Sequence, residues 1–162
     1  MRFLKTLTSL VVLVSSAAFA QGETTPGMTM AEFDEFMHKY YIHPQPEQVP
    51  AAIAHLDARE DSSLLNAQIP ITIFFSHLYA ANAKFKGQWD GSIRGVQDPR
   101  LKKLLTVAAS NSPDVLVKSL PESAEKNDAH WACFFATGLD ACLDPIIANL
   151  KYMSERGNLN LF

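Results

Sequence analysis

Proline and small polar residues cut this chain into helix-length pieces, and that punctuation constrains the fold more than any other feature. Asp98-Pro99 and Ser112-Pro113 each place an N-cap residue before a proline suited to the first helical position. Thr29 and Glu32 form a T-x-x-E capping box. It precedes Phe33, Phe36, Met37, Tyr40 and Tyr41, which recur at the i, i+3, i+4, i+7, i+8 spacing of one helix face. The prolines of His43–Pro46 break that stripe. Val49, Ala52, Ile53 and Leu56 then resume it, with Pro50 tolerable only in a first turn. Asp61–Pro70 reads as a turn with caps at Ser63 or Asn66. The apolar run ITIFFSHLYAAN has a β-branched start, but its length and the spacing of Phe74, Leu78 and Ala81 favour a buried helix. Lys86–Gly95 holds three glycines and reads as a loop with Trp89 tucked against the core.

Beyond Pro99, Leu101, Leu104, Leu105 and Ala108 make a buried stripe. Val115, Leu116 and Leu120 make another, stopped at Pro121. Asp128 is predicted to cap a helix carrying Trp131, Phe134 and Phe135, with Gly138 as its left-handed terminator. Asp140 is predicted to cap a last helix through Leu143, Ile146, Ile147 and Leu150, ended by Gly157. The expected class is all-α. Helix ends at His43, Asn82, Asn111 and Gly138 are separated by 39, 29 and 27 residues. That loose period fits stacked αα-hairpins, a short HEAT-like or tetratricopeptide-like solenoid, although no consensus of either repeat is matched. An irregular helical bundle is the alternative.

The first twenty residues predict export. Arg2 and Lys5 precede an apolar run that closes on Ala18-Phe19-Ala20, the pattern of a cleaved leader. The run is too short and too rich in serine and threonine to span a bilayer. Gln21 rather than cysteine follows, so no lipid anchor is expected. The expected organisation is a signal peptide over 1–20, a linker over 21–27 and one helical domain over 28–162, in the periplasm or outside the cell. Loss of the leader takes the formal charge from −3 to −5. A mildly acidic chain is a poor partner for nucleic acid or an anionic membrane, and no membrane insertion is expected after cleavage.

Both cysteines and one tryptophan fall within HWACFFATGLDAC, His130 to Cys142. The cysteines are nine apart, with no C-x-x-C, so a thioredoxin-type motif is absent. His130, Cys133 and Cys142 make three metal ligands at most, short of a structural zinc site. Apolar neighbours would raise the Cys133 thiol and quiet it as a nucleophile. A tight turn at Gly138 and an oxidising compartment favour a Cys133–Cys142 disulfide, packed around by Trp131, Phe134, Phe135, Ile146 and Ile147. His38, His43, His55 and His77 are scattered, and the acidic Glu32, Asp34 and Glu35 suit a helix N-terminus. No catalytic residue, metal site or cofactor is assigned. Tyr40, Tyr41, Tyr79, Phe85 and Trp89 exceed what the stripes need. They either fill the core or form a candidate partner-binding set.

The stretches YYIHPQP with AAIAHL, FFATG with DPIIANL, and RGNLNLF resemble a group of uncharacterised exported bacterial helical proteins. The resemblance covers most of the chain after residue 20. It implies export and helical hairpins, and relatives that continue past Phe162. Its motifs are core and turn residues, so it transfers no catalytic group. The expected function is binding of a protein or peptide partner. The alternatives are a small exported enzyme with dispersed carboxylates or His130, and an apolar-ligand binder with a closed cavity between hairpins.

Overall fold

The computed structural model describes residues 28–59 and 67–155. The expected leader and linker, the caps at Ser63 or Asn66, and the stop at Gly157 lie outside the described residues. All regular structure among the described residues is helical: α1 (Met30–Lys39), α2 (Val49–Asp57), α3 (Gln68–Ala81), α4 (Lys86–Gly95), α5 (Pro99–Ser110), α6 (Pro113–Ser119), α7 (Ala124–Thr137) and α8 (Asp144–Glu155). Single 3-10 turns at Pro46–Gln48, Ala83–Phe85 and Asp140–Cys142 precede α2, α4 and α8.

The capping signals at Thr29, Asp98 and Ser112 form as read. The Thr29 N–H and hydroxyl donate to the Glu32 carboxylate at 2.7 and 2.8 Å, and the Glu32 N–H donates back to the hydroxyl at 3.3 Å. Those bonds hold the Glu32 carboxyl below its usual range. The Asp98 carboxylate accepts from the Arg100 N–H at 2.8 Å, and the Ser112 hydroxyl from the Val115 N–H at 3.3 Å. Pro50 falls in the first turn of α2, where its missing N–H has no partner to lose.

The apolar run is α3, and it is the axle of the fold. Every residue from Ile71 to Ser76 is buried, as expected of a helix that is apolar on all sides. The Thr72 and Ser76 hydroxyls are satisfied within the helix, donating to the Gln68 and Ile73 carbonyls at 2.7 and 2.8 Å. Around it, α3 packs most extensively on α7 and α5, and also on α6. A solenoid hairpin would touch only its chain neighbours. Here α7 returns to α3 after three intervening helices, so the arrangement is an irregular bundle.

Three local expectations are corrected. Lys86–Gly95 is the helix α4, not a loop. Trp89 and Ile93, one turn apart, are both buried, and a Cβ at Gly87 or Gly95 would meet nothing within 4 Å. The glycines cost the helix about 1 kcal/mol each relative to alanine, and burial of an indole and an isoleucine offsets that. Next, α7 starts one turn before Asp128, with Ser123 at the N-cap. Asp128 lies inside it, exposed. Finally, Asp140 opens a 3-10 turn, and the last helix begins at Asp144.

Distant segments are tied through main-chain groups. The Asp57 carboxylate accepts from the Gln97 and Asp98 N–H groups at 2.9–3.0 Å, fixing the α4–α5 corner to the end of α2. The Lys102 ammonium donates to the carbonyls of Arg94 and Val96. The His55 imidazole Nδ1 donates to the Met28 carbonyl at 2.7 Å while its ring stacks on Phe33 at 4.7 Å.

Candidate functional site

The site follows from how α7 meets its neighbours. Its closest-packed side is built of Ala129 and Ala132, both buried. Small side chains let α7 and α3 approach closely, which displaces the bulky aromatics of α7 to its flank. Trp131 is 41% exposed. Its ring lies nearly parallel to Phe135, 5.8 Å between centroids, and edge-on to Phe134 at 6.3 Å. Of the residues expected around the disulfide, Trp131 and Ile147 are exposed, while Ile146 is buried.

The end of α1 completes the surface. The Tyr41 N–H donates to the Phe135 carbonyl at 3.1 Å. That carbonyl belongs to the last turn of α7, where the helix supplies no donor. The Tyr41 ring lies 4.8 Å from Phe134 and passes directly over Gly138. Gly138 adopts φ 69°, the left-handed C-cap conformation, and a Cβ there would sit 3.3 Å from the Tyr41 ring. Glycine is thus favoured by conformation, and the close Tyr41 ring adds to that preference. At the other end, the edge of His38 meets Phe135 at 5.0 Å. The result is a continuous strip from Tyr41 through Phe134, Trp131 and Phe135 to His38. Tyr41 itself is 36% exposed, and its chain neighbour Ile42 and the residue after Gly138, Leu139, are more than half exposed.

Behind the strip, the Cys133–Cys142 disulfide joins α7 to the turn before α8, with Cα atoms 5.8 Å apart. The Thr137 hydroxyl donates to the Cys133 carbonyl at 2.7 Å and accepts from the Leu139 N–H at 3.2 Å. The turn carrying Gly138 is therefore held by a covalent bond, a side-chain bridge and the backbone bond from Gly138 to the Phe134 carbonyl at 2.7 Å.

The five aromatics singled out from the sequence are not one surface. Tyr40, Tyr79 and Trp89 are buried and Phe85 is partly buried. Trp89 is fully enclosed, its indole N–H donating to the Pro46 carbonyl at 3.2 Å, with Phe85 stacked on it at 5.7 Å. Burial pushes the Tyr40 and Tyr79 phenols up, Tyr79 with help from the Asp90 carboxylate. Only Tyr41 belongs to the exposed strip. Trp131 was missed as a surface residue, beside the partly buried Phe134 and Phe135. The signal for it was the alanine stripe at 129 and 132, which marks the inward side of α7.

A concavity of about 580 Å³ lies between α1 and the start of α2. Its acidic groups are committed locally: Glu32 to the capping box, and Glu35 to Lys39 at 2.9 Å, which holds Glu35 low. Among the described residues no three of histidine, cysteine, aspartate and glutamate cluster as metal ligands, and no helix is long and apolar enough to cross a membrane. His130 is half-buried, and burial followed by the Lys126 charge lowers its pKa. No family model, curated protein or solved structure matches the chain.

Proposed function

We propose that this is an exported helical protein that binds a protein or peptide partner through the strip of Tyr41, Trp131, Phe134 and Phe135. The observation that carries the reading is the exposure of Trp131 in a patch where Tyr41, Ile42 and Leu139 are exposed too. Contiguous apolar surface of this kind marks interaction sites, and tryptophan and tyrosine are the side chains that most often anchor them. Export rests on the basic and apolar residues ahead of Ala20, and an intramolecular disulfide suits an oxidising compartment.

The test is comparative capture from periplasmic extract. Wild-type protein and a Lys103→Ala control on α5 should retain the same partner, and Trp131→Ala should lose it while keeping its helical circular dichroism. Identical retention by all three proteins would overturn the proposal.

A further inference from the structure

His38, Trp131 and Phe135 of the strip line a groove of about 260 Å³ between α1, the end of α2, α3 and α7. Met37, Ile71, Phe74 and Ala132 make its floor, and Trp131 with Phe135 its aromatic side. Four ionisable residues stand on the rim: Asp34 and His38 of α1, Arg59 after α2, and Asp128 of α7. Two of these are engaged. The His38 ring bonds through Nδ1 to the Asp34 carbonyl at 2.9 Å and abuts Phe135. The Arg59 guanidinium donates to the Met30 thioether at 3.6 Å, among other contacts. The two carboxylates differ. Asp34 and Asp128 are both exposed. Neither forms an ion pair or a side-chain hydrogen bond with another described residue.

Taking this face as the partner site, we infer that its occupant is a peptide segment carrying a bulky apolar side chain beside a lysine or arginine. The groove volume suits side chains rather than a folded domain. An apolar anchor fills the trough, and a lysine or arginine next to it lays its alkyl stem on the same floor while its charged head meets a rim carboxylate. Acidic segments meet two carboxylates that have no ion-pair partner among the described residues and are disfavoured. The net negative charge of the chain acts in the same sense at longer range.

Selection of random twelve-residue peptides displayed on phage, against the full chain, tests this. The enriched pool should place an aromatic or aliphatic residue beside lysine or arginine. A selected peptide, measured by fluorescence anisotropy, should bind the Asp34→Asn, Asp128→Asn double variant about fivefold more weakly, the size expected of two exposed ion pairs. Its affinity for wild type should fall with added salt, and that dependence should flatten in the double variant. Trp131→Ala should abolish binding. A pool without basic residues, or affinity unchanged in the double variant, would overturn the cationic occupant but leave a Trp131-dependent surface standing. No enrichment, or binding indifferent to Trp131→Ala, would overturn both.

Discussion

The two tryptophans occupy opposite kinds of region. Trp89 sits on α4 with no exposed surface, its N–H bonded to Pro46 and its ring between Tyr79 and Phe85. Trp131 sits on α7 with two-fifths of its surface in solvent. The helices reverse their patterns. On α4 the bulky residues face inward and glycines at 87 and 95 face open space. On α7 the alanines face inward and the aromatics lie at the flank. A large side chain is buried only where its neighbours on the facing helix leave room, and α7, which packs extensively on α3, buries alanines at 129 and 132.

The sharpest way to break this comparison is to truncate each ring. Trp89→Ala should cost about 3–5 kcal/mol in urea unfolding, as loss of a fully buried aromatic does. Trp131→Ala should stay within about 1 kcal/mol of wild type. Equal losses would mean that Trp131 is part of the core. A smaller effect is expected from Cys142→Ser, which releases the turn behind the strip without touching the packing around Trp89. It should lower stability by roughly 2–3 kcal/mol and leave the far-ultraviolet dichroism helical; an unchanged urea midpoint would show that the bridge constrains nothing. The smallest effect concerns acid. Burial lowers the pKa of His77 on α3, against a weaker opposing pull from Asp114. Above the usual value of 6.5 both folded and unfolded chains are neutral there. As the pH falls below it the unfolded chain binds the proton first, so stability should decline until the folded pKa is passed. His77→Gln should flatten part of that slope in pH-dependent urea titrations, His130 contributing in the same sense and the lowered carboxylates adding to it at more acid pH. An identical slope in the variant would place His77 in solvent.

The starts of α1, α5 and α6 were legible because a capping side chain acts on N–H groups two or three residues away, a wholly local interaction. Gly138 was legible for the same reason. The helix α4 was not, because its glycines argue locally for a loop and the compensation comes from outside the helix, from Tyr79 on α3 and from Pro46, 43 residues before Trp89. The surface strip was hidden by a related ambiguity. Residues 131, 134 and 135 carry the spacing of a buried stripe, but so do alanines 129 and 132, and hydropathy favours the larger side chains. Which stripe turns inward is decided by α3, so the sequence of α7 alone leaves it open.

The bond from the Tyr41 N–H to the Phe135 carbonyl has a consequence for variation. It is made by the main chain, so any residue except proline at position 41 can keep it. This link between α1 and α7 is therefore independent of which side chain is displayed there. A change at 41 would alter what a partner meets while the frame beneath it stays assembled, so the partner's ordering penalty on association stays low on the protein's side. Attachment and recognition are written in different atoms of one residue, and specificity at this corner is free to drift without the fold drifting with it.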